Sequence, residues 1–201
     1  MNFSKPIDMP RGTHYGNNYY LVYSKKIHRT CRFYSNLEYY NFLSLEINPK
    51  IEKFCEQPVK IEIIQENKIQ HAIIDMWVLY RDGREEFQEV KYTSELTGDS
   101  AEAIRSQEQI RREHLWCTEN NIDLVIRTEK NISQGRFFLN NANTIAARLR
   151  RYTPTEDEFY NPKVMNVLEK YKKISVKDLI NNGLLPIHSE IDHLCYMYEK
   201  R

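Results

Sequence analysis

Residues 70–92, QHAIIDMWVLYRDGREEFQEVKY, decide the fold of this chain. Two β-rich runs, His71–Tyr80 and Glu86–Tyr92, flank an Arg81-Asp82-Gly83-Arg84 turn, and an Asp-Gly pair between such runs signals a hairpin. Asp75 is a lone acid inside the otherwise apolar first run. In the second run, period-2 alternation puts Glu89 and Lys91 on one face. Charge in strands this apolar is costly unless it pairs or holds a metal. The hairpin therefore needs a chemical reason.

Upstream, Ile51–Phe54 leads through Glu56-Gln57-Pro58 into a strand over Val59–Gln65, and an Asn67-Lys68 turn enters the hairpin. These three strands should form a meander. Before them, Ser35-Asn36-Leu37-Glu38 fits a capping box, opening a helix that runs along Leu37, Tyr40, Leu43, Leu45 or Ile47 to Asn48-Pro49. Glu38 can close that box, aim a carboxylate at the hairpin, or do both. Tyr19–Tyr23 reads as a short strand, Ser24–Arg32 as a basic connection and residues 1–18 as a loosely ordered arm.

Downstream, Thr93–Ser100 is polar, with Gly98 as a breaker. A long helix follows from Ala101 to about Asn120. Its apolar positions are Ala103, Ile104, Ile110, Leu115 and Trp116, with Arg105, Arg111, Arg112 and Glu113 toward water. Ile122–Arg127 is a buried-looking strand that a helical crossover can bring into the sheet. The order is helix, three-strand meander, helix, strand: an α/β core. After Thr128 come a basic helix over Phe137–Arg151, a linker over Tyr152–Pro162, and helices over Lys163–Lys173, 174–180 and Ile187–Lys200. This divides the chain into a domain at 1–151 and a small helical region at 152–201. The latter is either a helix-turn-helix or winged-helix-like appendage or a brace on the core.

A length of 201 residues suits one main domain with a small appendage. No run of about 18 apolar residues suggests a membrane span, and the N-terminus lacks the apolar segment of a secretory leader. A cytoplasmic protein is expected. Cys31, Cys55, Cys117 and Cys195 are scattered, which argues for reduced thiols over a zinc ribbon or a disulfide framework. A net charge of +1 argues against indiscriminate coating of nucleic acid. Local basic clusters can still grip phosphate: Lys25, Lys26, His28, Arg29 and Arg32; Arg111 and Arg112; Arg148, Arg150 and Arg151.

Glu38, Asp75 and Glu89 can converge, since Asp75 lies near Glu89 across the ladder. Carboxylates brought together repel unless a cation sits between them. Hard oxygen ligands favour Mg²⁺ or Mn²⁺, and Lys91 on the same face can orient or help deprotonate a water. Metal-activated water attacking a phosphodiester is the reaction this set suits.

Asp75 followed by Glu89-Val90-Lys91 on a hairpin after a glutamate-bearing helix resembles the PD-(D/E)xK nuclease core. Ile74 stands where the eponymous proline would be. Ser35-Asn36-Leu37-Glu38, Leu45-Glu46-Ile47-Asn48-Pro49 and Glu56-Gln57-Pro58 further resemble the entry to the TnsA family, endonuclease subunits of heteromeric transposases. That likeness runs from about Arg29 to Arg127. It implies a restriction-endonuclease-like fold with Glu38, Asp75, Glu89 and Lys91 at the active site, the three acids on Mg²⁺ (Mn²⁺ substituting). The implied activity is cleavage of double-stranded DNA at transposon 5′ ends. A DDE-type transposase subunit would act on the 3′ ends, beside an AAA+ ATPase regulator. Arg29, Arg32, Gln107 and Arg111 become candidate DNA contacts, and Gln109 joins Gln107 as a candidate to face the scissile phosphate. His71 and His114 read as structural or surface residues. Two rivals remain: a stand-alone restriction-like or repair nuclease, and a non-catalytic DNA- or protein-binding adaptor.

Overall fold

The computed structural model describes residues 3–9, 18–65, 68–133, 135–151, 157–171 and 174–182. The chain opens with a hairpin of β1 (Tyr20–Ser24) and β2 (Arg29–Phe33), antiparallel with Val22 opposite Cys31. The basic connection expected at 24–32 thus contains a strand. Cys31 and Phe33 face inward, while Thr30 and Arg32 face water. The turn hangs on buried Glu46, which accepts from Ser24 Oγ (2.6 Å) and Lys25 N–H (2.9 Å).

Helix α1 (Asn36–Glu46) follows, capped by Ser35 Oγ accepting from Glu38 N–H at 3.1 Å. The capping box closes one residue further out than the sequence suggests. The Glu38 carboxylate accepts from Tyr34 N–H (3.2 Å) rather than from the cap residue's own amide.

Next come β3 (Ile51–Glu56), β4 (Lys60–Gln65), β5 (Lys68–Ile73), β6 (Met76–Tyr80) and β7 (Glu85–Val90). The expected meander is different in detail. β4 and β5 form their own two-stranded hairpin, and β3 replaces β4 as the neighbour of β6. The run read as one strand over 71–80 is cut at Ile74–Asp75 by long-range hydrogen bonds. Ile74 N–H donates to Val59 O (3.2 Å) and Asp75 O accepts from Gln57 N–H (2.9 Å). The Asp-Gly turn holds as expected: β6 and β7 pair antiparallel, and Gly83 supplies a φ of 86° with its N–H on Tyr80 O (3.0 Å).

A short helix α2 (Thr93–Leu96) and the long α3 (Ala101–Glu119) lead to β8 (Asp123–Arg127), which pairs parallel to β7. The core sheet therefore runs β3-β6-β7-β8. Alternation along its strands sorts two cores. Phe54, Met76 and Val78 pack with Phe42 and Leu43 of α1, whereas Cys55, Trp77 and Phe87 pack with Cys117 of α3. Phe3 joins the second core, 5.6 Å from the Trp77 ring and 5.5 Å from Phe87, so residues 3–9 of the expected loose arm are pinned.

Helix α4 (Glu129–Ile132) and α5 (Phe138–Arg151) follow, and α5 buries Ala142 and Ala146 in the α1 core. Helix α6 (Asp157–Tyr171) starts inside the segment expected to be a linker and carries Pro162 within it. Helix α7 (Val176–Asn181) is capped by Ser175, accepting from Asp178 N–H at 3.0 Å. The helix expected over 187–200 lies outside the described residues, as does Cys195. The other three cysteines are buried free thiols, and burial pushes Cys55 and Cys117 up to about 12. Among the described residues, no helix is long and apolar enough to cross a membrane.

Candidate active site

A cleft of about 850 Å³ opens where α1, the ends of β6 and β7, the β4–β5 hairpin and α3 meet. Glu38, Asp75, Lys91 and Gln109 line it, and Glu89 lies buried just beneath. Each arrives for a local reason. Ser35 starts α1 so that Glu38 sits in its first turn. The break before β6 turns Asp75 off the ladder, and Asp75 Oδ2 accepts from Val90 N–H at 2.8 Å. Alternation along β7 sends Phe87 and Glu89 toward α3.

The charges form one cluster. Lys91 Nζ lies 2.9 Å from Glu89 Oε1. The same oxygen accepts from Gln109 Nε2 (2.9 Å), which also donates to Glu113 Oε1 at 2.8 Å. Glu89 and Glu113 are both fully buried. Burial, and then Asp75, push Glu38 up to about 7. Burial raises Asp75 against the opposing pull of Lys91 and the Val90 amide. Glu89 is raised well above the carboxylate range by burial, Asp75 and Glu113. Burial raises Glu113 to about 7. Burial alone would lower Lys91, but Glu89 and Asp75 outweigh it and hold the ammonium above its ordinary value.

Such a set fits a hard divalent cation in its chemistry. Glu89 Oε2 and Glu113 Oε2 are buried with no hydrogen-bond donor, and mutual repulsion among the acids is only partly offset by Lys91. The acids are not closed around a point: among the described residues no three His, Cys, Asp or Glu side chains stand as a ready cation cage. Lys91 and Gln109 occupy the Glu89 oxygen that faces them.

The remaining candidates separate. Arg29 donates to Glu56 Oε1 and Oε2, both at 2.6 Å, and is committed to that buried carboxylate. Arg32 and Arg111 are exposed. Gln107 donates to Leu96 O and Gly98 O (both 3.3 Å), tying the α2–α3 loop, whereas Gln109 reaches the cluster. His71 lines the cleft beside Glu62, its Nδ1 3.3 Å from Oε1, while His114 is exposed on α3.

Sequence reasoning set Glu113 among the water-facing residues, yet it is wholly buried. The signal was Ala103, Ser106, Glu113 and Cys117, a stripe at helical spacing made of small residues and one acid. Arg112, Lys60 and Gln57 are further cleft residues, and Arg112 Nε is buried without a partner.

A mixed sheet between α1 and α3, with an acid before one central strand and a carboxylate-x-lysine pair at the end of the next, defines a restriction-endonuclease-like core. Residues 48–129 match the family model described as TnsA-like endonuclease N terminal. The match takes in Asp75, Glu89, Lys91, Gln109 and Glu113 and begins after the helix that carries Glu38. Comparison with curated proteins found no match.

Proposed function

We propose that the chain is a divalent-metal-dependent DNA endonuclease subunit of a heteromeric transposase, hydrolysing phosphodiester bonds at the transposon 5′ ends. The observation that carries this reading is the hydrogen-bonded junction of Asp75, Glu89 and Lys91 inside the span that matches the family. Glu38, Asp75 and Glu89 would hold Mg²⁺ or Mn²⁺, which supplies an acidified water and offsets phosphate charge. Lys91, kept protonated by its acidic neighbours, serves as a donor that orients the water or a phosphate oxygen. Gln109 fixes one Glu89 oxygen so that the other stays available. Lys60, His71 and Arg112 line the cleft where the DNA backbone would run. A DDE-type transposase and an AAA+ ATPase regulator are the proposed partners, with residues 152–201 as a small helical C-terminal domain.

The test is cleavage of DNA carrying the element's ends, with Mg²⁺ and the cognate transposase. Asp75→Ala and Lys91→Ala should each lower 5′-strand cleavage by roughly 10²–10³-fold, the scale for losing one preorganised charged group. Cleavage by both variants at the wild-type rate refutes the reading.

A further inference from the structure

Glu56-Gln57-Pro58 sits between the two places from which the cleft acids come, and its middle residue touches both. Gln57 N–H donates to the main-chain oxygen of Asp75 at 2.9 Å. Its side-chain Nε2 reaches Glu38 Oε2 at 3.4 Å, the same oxygen that accepts from Tyr34 N–H. Its own carbonyl accepts from Ile7 N–H at 2.9 Å. Gln57 is buried, lines the cleft, and holds a φ of 37°.

That conformation is uncommon for a residue with a side chain, and it persists only where the surroundings over-determine it. Here the surroundings are visible. Glu56, on one side, is locked to Arg29 by two 2.6 Å contacts. Pro58, on the other, has no N–H and a fixed φ of its own. Between these anchors the chain turns so that one residue ties the strand break at Asp75 to the first turn of α1. A glutamine suits the position because its amide donates to a carboxylate without adding charge to a cluster already crowded with acids.

We propose that Gln57 is a positioning residue of the metal centre. Its side-chain amide occupies Glu38 Oε2, leaving Oε1 as the oxygen that would meet a cation, while its backbone fixes the spacing of Glu38 from Asp75. The inference rests on the nuclease reading and adds to it a residue that acts through Glu38. Partners of this kind typically contribute 10–100-fold to metal affinity or activity.

The test uses the full chain and Mn²⁺ alone, by calorimetry, with thermal unfolding in parallel. Gln57→Met keeps the volume and removes the donor. Gln57→Gly removes the donor and accepts the φ. Both should weaken Mn²⁺ binding by about 10-fold or more. Gln57→Gly should nonetheless melt no lower than the wild type, an outcome a merely structural role would not produce. In a Glu38→Gln background, Gln57→Met should weaken binding no further. Variants that bind Mn²⁺ as the wild type does overturn the proposal and leave the nuclease reading standing. An undiminished effect of Gln57→Met in the Glu38→Gln background overturns action through Glu38. A wild-type chain that binds no Mn²⁺ overturns the nuclease reading, and this proposal with it.

Discussion

Arg29→Met should destabilise the protein severely. The guanidinium meets both oxygens of Glu56 at 2.6 Å, and the Glu56 side chain is 0% exposed. With Arg29 gone, the carboxylate keeps the Arg32 N–H at 3.3 Å and the neighbouring Cys31 thiol, neither of which carries a compensating positive charge. Breaking a buried ion pair by removing one partner costs about 3–5 kcal/mol, because the remaining charge stays desolvated. A chain of this size loses roughly 2–4 °C of Tm per kcal/mol, so the expected drop is about 6–20 °C. Arg29→Met/Glu56→Gln removes both charges and should recover most of that loss, since an ion pair replaced as a unit is often near neutral. Urea and thermal unfolding of the wild type, the two single variants and the double variant give the coupling directly. A single variant within about 1 kcal/mol of wild type, or a double variant as unstable as the singles combined, refutes the reasoning. Because Arg29 is committed to Glu56, its loss should register in stability before it registers in DNA binding.

The metal-free protein should lose stability as pH rises from about 4.5 to above 7. Glu38 and Glu113, each raised to about 7, hold protons in the folded chain that the unfolded chain has already released. A displacement from the model value of 4.5 to about 7 corresponds to about 3 kcal/mol for either carboxyl at the upper end of that window. Denaturant titrations at pH 5 and pH 8 check the sign, and stability that rises over this range contradicts it. Mn²⁺ at about 100 times its dissociation constant should add about 2.7 kcal/mol at pH 8, read as a rise in Tm. Arg112→Gln should flatten the dependence of log binding constant on log salt by about one unit, measured with Ca²⁺ in place of Mg²⁺. Trp77→Ala should cost about 3–5 kcal/mol, because Trp77 is fully enclosed with Phe87 and Cys117.

The β6–β7 hairpin was legible because its signals are local: an Asp-Gly turn and alternation that sends Phe87 and Glu89 to one side. The break at Ile74–Asp75 was not. No glycine or proline marks it, and partners at Val59 and Gln57 make it across the fold. Strand β2 was hidden because its outward residues, Thr30 and Arg32, are polar and its inward ones, Cys31 and Phe33, are few. Helix α3 was recognised as a helix, and Ala103 and Trp116 meet the core as expected, but part of its face was misjudged. Ile104 and Leu115 are 45% and 51% exposed, and the buried stripe runs through Ala103, Ser106, Glu113 and Cys117. Hydrophobic weight misleads where a helix docks closely through small residues and carries an acid into a polar cluster. In α6, Pro162 marked the end of the expected linker, yet the helix already begins at Asp157 and passes through it.

Motif spacing named Glu38, Asp75, Glu89 and Lys91 together, and the fold brings them to one cleft. The side chains that tie them were harder to see. Gln109 and Gln107 looked alike in sequence, and only the pitch of α3 sends Gln109 to Glu89 while Gln107 holds a loop. Gln57 was visible as part of a distinctive tripeptide, but its hydrogen bonds to two distant segments belong to the tertiary structure.

The central claim is that Asp75, Glu89 and Glu38 form a metal-dependent phosphodiester-cleaving centre with Lys91. Its most direct test is single-turnover cleavage of end-labelled transposon-end DNA by wild type and Asp75→Ala, titrated with Mn²⁺ in the presence of the cognate transposase. The account predicts saturable, metal-dependent 5′-strand cleavage by the wild type and a loss of roughly 10²-fold or more in the variant. Cleavage that persists undiminished in Asp75→Ala, or that proceeds equally in excess chelator, contradicts it.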